Sequence, residues 1–599
     1  MKRLLLGNEA IGRGAYESGV QVVASYPGTP STEITEYIAQ YDNVYSEWSV
    51  NEKVAAEVAY GASIAGARSF CAQKHVGLNV CADLFFTASY TGINGGMVIA
   101  VADDPGIHSS QNEQDSRHYA LAAKLPMLEP SDSTECLQYV KLAYELSETF
   151  DTPIFIRLTT AIAHSRSVVD MGERKEQILK SYEKNTEKYV MLPRQAQMRH
   201  EFAEHRTEMI RQYAEEATVN KIEWNERKIG VVTSGAVYQY AKEALGTQAS
   251  YLKLGMVWPL PEQKLREFAD GVECLYILEE LDDFIESHCK KIGIACIGKE
   301  LFSYTGEYST ALIREKILGI KPLALQNVCP IPARPPAMCA GCPHRAVFHV
   351  LKKLQVTVSG DIGCYSLGAS EPLSAMDMNV CMGASIGMLH GMEKARGKEF
   401  AKESVAIIGD STFLHSGMTA VLDVVYNKGT STILILDNST TAMTGHQNHP
   451  ATGKTIYNEP TEAVDIAAIC KALGVKRVFQ IDPINQDEFE KQLKRELDMP
   501  EPSVIILKRP CVLLPDTVKN IPLQIDLKKC HGCKNCVKTG CPAISFKKKK
   551  ISIKHIKEHP FSVIKNLRQY ILGGAEINRS MCSGCGLCKT VCRFHAIDR

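Results

Sequence analysis

Short apolar runs separated by amphipathic stretches dominate the first 170 residues. The runs VQVVASYP, MVIAVADD and PIFIRL each close on turn residues, and the segments between them carry apolar positions at helical spacing. This alternation predicts a parallel sheet with helices on both faces, where ligands gather at the carboxyl ends of the strands. From about residue 171 to 227 the pattern turns charged and helix-biased (ERKEQILKSYEKNTEKY, RHEFAEHRTEMIRQYAEE), which predicts a solvated helical connector. KIGVVTSGAVYQYAKEAL then opens a second α/β unit, 228–330, whose glycine turn matches no complete phosphate-binding fingerprint. A proline-rich hinge, PIPARPPAMCAGCPHRA, opens a third, 331–515, with buried-strand runs in SVAIIGDSTFLHSGMTAV and TILILDNSTTAMTG. The expected fold class is α/β: three doubly wound parallel-sheet domains, followed at 520–599 by a small cysteine-rich α+β domain.

Composition changes this picture little. At 599 residues, a prior of roughly 150 residues per domain gives about four domains. Sixty-eight basic residues balance 68 acidic ones, so charge gives no reason to expect a nucleic acid or membrane partner. MKRLLLGNEAIGRG is too short in apolar residues for a signal-peptide core, and no run of about 18 apolar residues is present, so a cytoplasmic location is expected.

The cysteines carry more. Eight of the 21 lie in the last domain as two quartets, Cys530, Cys533, Cys536 and Cys541, then Cys582, Cys585, Cys588 and Cys592. Three thiolates at CxxCxxC spacing can grip three irons of a cubane, and the fourth of each quartet typically crosses to the other cluster. That predicts two [4Fe-4S] clusters, one on Cys530, Cys533, Cys536 and Cys592, the other on Cys582, Cys585, Cys588 and Cys541. Zinc knuckles or disulfides are the alternatives, but three evenly spaced cysteines plus a distant fourth fit tetrahedral zinc poorly, and nothing in the sequence suggests secretion. Elsewhere, Thr29 is placed to cap a helix with Pro30 at its first position and Glu33 in its first turn, and Asn51 to cap a helix that starts at Glu52. An acid in a first turn is favoured by the helix dipole whatever the protein does. Gly409, Asp410 and Ser411 end one predicted strand and Asn438 ends the next, two oxygen ligands suited to magnesium beside a phosphate.

These motifs carry family resemblances. The tail resembles bacterial two-cluster ferredoxins, with four residues instead of three before Cys541, Arg593 in place of proline after Cys592, and a longer middle segment. Gly409-Asp410-Ser411 with Asn438 resembles the diphosphate motif of thiamine diphosphate enzymes, with Ser411 replacing a glycine. That resemblance implies that Asp410, Asn438 and the Thr440 carbonyl hold Mg2+. It also implies that Glu52, in a setting with Ala55, Ala56 and Gly61, is the glutamate that bonds the aminopyrimidine, making 1–170 the pyrimidine-binding domain and 331–515 the diphosphate-binding one. SYPGTPST is similar to the substrate-side segment of the 2-oxoacid:ferredoxin oxidoreductases, which makes Thr29 a donor to the oxoacid. The domain order, with CAGCPHR, GDIGCYSLG and GDSTFLHSG, resembles the large (α) subunits of the indolepyruvate ferredoxin oxidoreductases. The implied reaction is oxidative decarboxylation of an arylpyruvate with CoA to an aryl-acetyl-CoA, CO2 and reduced ferredoxin. The implied partner is a smaller β subunit, in a dimer of heterodimers.

In the pyruvate relatives, cysteines placed like Cys339, Cys342, Cys364 and Cys511 hold a third cluster beside thiamine; the alternative is ordinary buried thiols, with Cys329 and Cys381 equally available. His108, Gln111, Asn112, Asp115 and Arg117 lie in a polar stretch that either approaches substrate or is merely solvated. FKKKKISIKHIK is either a docking patch for an acidic ferredoxin or an exposed hairpin. The other functional readings are a pyruvate, branched-chain or 2-oxoglutarate substrate, a non-oxidative decarboxylase, and a catalytically silent electron-transfer scaffold.

Overall fold

The computed structural model describes residues 1–321, 335–517, 520–548 and 572–599, which group into two compact units. Cys329 and the basic run beyond Lys548 lie outside the described residues.

The first unit is built on a seven-stranded sheet in the order Met256–Trp258, Met127–Leu128, Ile154–Thr159, Met97–Asp103, Ser69–Lys74, Val22–Ser25, Tyr45–Trp48. Every neighbouring pair is parallel except the first, which is antiparallel. The central strand shows why its sequence reads as a continuous apolar run. Val98, Ala100 and Ala102 pack into one core with Ile11 and Leu137, while Ile99 and Val101 pack into another with Ala55, Leu78 and Phe85. Successive side chains point to opposite faces, so a strand covered on both sides needs apolar residues at every position. Helices Gly7–Glu17 and Ser133–Phe150 cover the first face, and Glu52–Ile64 and His75–Thr91 the second.

The charged stretch departs from the solvated connector expected of it. Pro193–Glu216 is a single helix that buries Ala203, Arg206, Ile210 and Ala214 and packs on His75–Thr91. Arg206 is fully buried because its guanidinium caps two carbonyls, Ser89 O at 2.6 Å and Asp151 O at 3.0 Å. One apolar stripe on a charged helix is enough to dock it, and such a narrow stripe is easily hidden among charges.

The middle sheet runs Cys274–Leu278, Ile229–Ser234, Ser250–Leu254, Lys221–Glu223, parallel except for the last, antiparallel edge strand. Val232, Leu252 and Ile277 join the core under the first sheet, and Val231, Tyr251 and Leu278 face a second core with Val237 and Ile313.

Buried ions tie these layers together. Arg117 donates to Asp115 Oδ1 at 2.9 Å and to Glu279 Oε2 at 2.6 Å, and Arg157 donates to Asp103 at 2.7 Å and Glu129 at 2.6 Å. Burial alone would raise the Asp115 carboxyl, but Arg117 and Arg157 outweigh it and hold that group well below its ordinary range. Glu280, beside this network, accepts from the Tyr308 amide at 2.8 Å, and burial pushes its carboxyl up to about 7.

The second unit carries a six-stranded parallel sheet, Met378–Asn379, Thr357–Gly360, Ser404–Gly409, Thr432–Asp437, Ser503–Lys508, Arg477–Ile481. It is again covered on both faces: Val405, Ile407 and Leu434 face one core, Ala406, Ile408 and Ile433 the other. Two antiparallel pairs close the C-terminal domain, Gln524–Ile525 with Ile597–Asp598 and Ile544–Lys547 with Gly574–Ile577. Its core is small and includes the cysteines themselves, Cys536 and Cys588 packing with Leu523, Ala575 and Ile597. Among the described residues no helix is long and apolar enough to cross a membrane.

Because the folded Glu280 carboxyl titrates near 7 rather than 4.5, its contribution turns unfavourable as pH rises between those values. Glu280→Gln is therefore expected to leave the melting temperature unchanged at pH 4.5 and raise it at pH 8, by up to roughly 3 kcal/mol of stability. Scanning fluorimetry at both pH values checks this.

Candidate cofactor and cluster sites

Glu52 is the first residue of helix Glu52–Ile64. Asn51 precedes it in extended conformation and accepts from the Val54 amide at 2.9 Å, satisfying a donor that the helix start would otherwise leave unpaired. The Glu52 side chain is 6% exposed and lies against Gly77 of the next helix, where an added Cβ would come within 2.7 Å of Glu52 Cγ. Gly77 is thus the space that lets the carboxylate sit there. Cys71 and Cys81 flank the same region; burial pushes the Cys71 thiol up to about 12 and raises that of Cys81 strongly, so neither is a nucleophile.

Thr29 does not cap the helix that follows it. The helix is Thr32–Ile38, with Ser31 at its N-cap position. Both the amide and the hydroxyl of Ser31 bond to Gly28 O at 2.8 Å, forming a tight turn over Thr29 and Pro30 before the helix can start. Glu33 does lie in the first turn, where it accepts from Asn8 at 2.9 Å. Thr29 is left half-buried, and the Ser109 hydroxyl lies 3.5 Å from its carbonyl. The polar stretch splits in two. His108, Gln111 and Asn112 are exposed, His108 3.0 Å from Glu307, whereas Asp115 and Arg117 are buried in the ion network and are structural.

In the second unit, strands Ser404–Gly409 and Thr432–Asp437 run in register, Gly409 opposite Leu436. Asp410 and Asn438 therefore leave adjacent strand tips together, and with Thr440 they are buried. Asp410 accepts from the Ser411 and Ser439 amides, each at 2.9 Å, and Gly409 N–H donates to the Tyr365 hydroxyl at 3.0 Å. His449 was not among the residues expected here. Its Nε2 lies 3.3 Å from Asp410 Oδ2, yet neither of its buried ring nitrogens forms a hydrogen bond. An all-oxygen donor set from Asp410, Asn438 and Thr440 suits a hard cation, and the unsatisfied imidazole beside it leaves a donor or acceptor for the same ligand. The only signal for His449 in the chain is the polar run GHQNHP.

The tail cysteines fall into two cavities. Cys541, Cys582, Cys585 and Cys588 line one, and Cys530, Cys533, Cys536 and Cys592 the other, so the fourth cysteine of each quartet faces the opposite triplet. A third group also gathers. Cys342 follows a turn closed by its amide on Cys339 O at 3.1 Å, and Cys511 N–H donates to Asn438 O at 2.9 Å. The Cys342 thiol lies within reach of the charges of Cys339 and Cys364, and that of Cys364 within reach of those of Cys511 and Cys339. Burial pushes the Cys342 thiol up to about 12 and Cys364 up to about 11, so their thiolates require a compensating cation. Cys381 stands exposed.

Arg345 joins this third group to the tail, a link invisible in the sequence. It donates to Cys339 O at 3.1 Å and to the Met338, Thr539 and Gly540 carbonyls, and it lines the cavity of Cys541 and Cys582. Gly341, at φ +82°, touches the same loop: a Cβ there would fall 1.9 Å from Ser583 Oγ.

Three family profiles match the chain. They are the thiamine diphosphate-binding region of pyruvate flavodoxin/ferredoxin oxidoreductases at 13–230, the C-terminal TPP-binding domain of thiamine pyrophosphate enzymes at 361–507, and a 4Fe-4S dicluster domain at 522–593. The chain is 37% identical to the indolepyruvate oxidoreductase subunit IorA of Archaeoglobus fulgidus, covering 100% of this chain and 97% of that protein. It is 38% identical to the IorA of Pyrococcus horikoshii over the same shares. The 2-oxoglutarate synthase subunit KorA of A. fulgidus is 23% identical over 53% of this chain and 97% of its own length.

Gly341→Ala is expected to push the CAGC turn away from Ser583 and lower iron content per chain. Combining it with Ser583→Gly should recover the part due to the clash but not the part due to the left-handed backbone. Iron analysis of the single and double variants checks this.

Proposed function

The chain belongs to the IorA family of thiamine diphosphate-dependent 2-oxoacid:ferredoxin oxidoreductases, and on that premise we propose that it oxidises arylpyruvates with CoA to aryl-acetyl-CoA, CO2 and reduced ferredoxin. It would do so with a smaller β subunit, in a dimer of heterodimers. The observation that carries this reading is one turn in the second unit. Asp410 and Asn438 leave adjacent strand tips, and Cys511 N–H donates to the carbonyl of that same Asn438, so the residues read as diphosphate anchor and as cluster ligand are hydrogen-bonded neighbours.

Thiamine diphosphate, when bound, supplies the nucleophilic carbon on which decarboxylation depends. In our reading Asp410, Asn438 and the Thr440 carbonyl hold its Mg2+, with Gly409 and Ser411 at the diphosphate. The Glu52 carboxylate accepts the proton bond of the aminopyrimidine. Thr29 donates to the oxoacid. Cys339, Cys342, Cys364 and Cys511 would hold a third cluster, the first in line for electrons. The cluster on Cys582, Cys585, Cys588 and Cys541 would follow, and the one on Cys530, Cys533, Cys536 and Cys592 would be the outlet. Arg345 and Gly341, which link the CAGC turn to the loops of Cys541 and Cys582, support that order.

Two measurements test the proposal on anaerobically purified enzyme with its small subunit. About twelve irons per large subunit are expected; about eight would eliminate the third cluster. In a panel of 2-oxoacids with CoA and a ferredoxin acceptor, arylpyruvates should outpace pyruvate and 2-oxoglutarate, and the reverse order would overturn the substrate assignment. Glu52→Gln should lower turnover by roughly 10²-fold or more with cluster spectra intact. Undiminished turnover would remove Glu52 from the chemistry.

A further inference from the structure

Lys74 ends the strand Ser69–Lys74 and precedes the helix His75–Thr91, so it stands at a carboxyl strand tip and a helix N-terminus at once. It is 8% exposed. A buried lysine is normally neutralised by a carboxylate, because a lone ammonium away from water is costly. Lys74 has no ion-pair partner among the described residues. Among those residues its ammonium donates to a neutral carbonyl, Ser109 O, at 2.7 Å. The acid whose charge reaches it, Asp104, is committed elsewhere: Oδ2 accepts from the Ser109 amide at 2.8 Å and the Ser110 hydroxyl at 2.6 Å, and Oδ1 from Thr160 at 2.6 Å. Next along the chain, His75 is 1% exposed and its Nε2 has no hydrogen-bond partner. Burial pushes the Lys74 ammonium down to about 8, as expected of a cation still lacking its counter-ion.

The surroundings say which anion is missing. Gly28 lies against the Lys74 stem, where an added Cβ would sit 3.1 Å from Lys74 Cβ, so the glycine lets the segment carrying Thr29 reach the lysine. Ser109, whose carbonyl holds the ammonium, also places its hydroxyl 3.5 Å from Thr29 O. Three residues further along the Lys74 helix, Gly77 makes room for Glu52. One ammonium matches a single carboxylate; a diphosphate calls for a metal or several cations.

We propose that Lys74 is the residue that binds the carboxylate of the 2-oxoacid substrate, with the Ser109 carbonyl holding its place until substrate arrives. The inference rests on the 2-oxoacid reading but on no particular 2-oxoacid. It assigns substrate binding to a side chain that no motif marks.

The test uses the two-subunit enzyme, the 2-oxoacid that the panel identifies as best, and two unreactive analogues of it lacking the oxo group, one a carboxylate and the other the corresponding amide. Lys74→Met should raise KM and weaken inhibition by the carboxylate, each roughly 10- to 100-fold, while leaving inhibition by the amide and the cluster spectra unchanged. Lys74→Arg should recover much of the carboxylate binding. The melting temperature of Lys74→Met should not fall, since an unpaired buried charge is removed; a fall of several degrees would assign Lys74 to holding the Ser109 loop. Equal weakening of acid and amide, or an unchanged KM, would overturn the proposal. If the wild type oxidises no 2-oxoacid at all, the functional reading fails, and calorimetric binding of the two analogues still decides whether Lys74 selects the charge.

Discussion

A strand buried on both faces can present chemistry only at its ends. Both large sheets obey this constraint, since successive residues of Met97–Asp103 and of Ser404–Gly409 enter opposite apolar cores. Every polar group that matters is therefore displaced to a carboxyl tip or to the turn beyond it. Lys74, Asp103, Asp104, Asp410 and Asn438 all stand there, and the helices that start at the same tips bring backbone donors to them.

Apart from Arg206, which is spent on two carbonyls, the buried charges at the strand tips of the first unit divide into two kinds. Arg117 and Arg157 are paired with four carboxylates, and what they hold together is the loop after Asp103 and the edge of the middle sheet. Lys74, a strand away, is buried almost as deeply with a single carbonyl for company. The first kind is architecture, because a paired ion in a dry interior already has its counter-charge. The second lacks one among the described residues.

The second unit solves a different problem, bringing thiols together without an apolar core large enough to hold them by packing alone. Cys536 and Cys588 are themselves core residues of the C-terminal domain, so metal and packing are the same interaction there. Arg345 reaches from the CAGC turn to the carbonyls of Thr539 and Gly540 and fastens that domain to the larger sheet beside it. Gly341 permits the contact by lacking a side chain where Ser583 stands.

What the chain determined by itself is local: the strand runs, the Asn51 cap before Glu52, the two CxxCxxC triplets, and the Asp410 and Asn438 strand ends. Each is a pattern within a few residues, governed by periodicity, capping or ligand spacing. The helix start after Thr29 departs from the sequence pattern because two bonds from Ser31 to Gly28 compete with the cap, and the connector departs from it because a few apolar positions suffice to dock Pro193–Glu216. Only the tertiary structure decided which distant groups meet. Arg117 finds Glu279 across 162 residues and Arg345 finds Gly540 across 195, while Lys74 finds no ion-pair partner among the described residues. No periodicity encodes such pairings, since they depend on how strand tips from separate parts of the chain are brought side by side, and a charge left without its partner is visible only once all the partners have been placed.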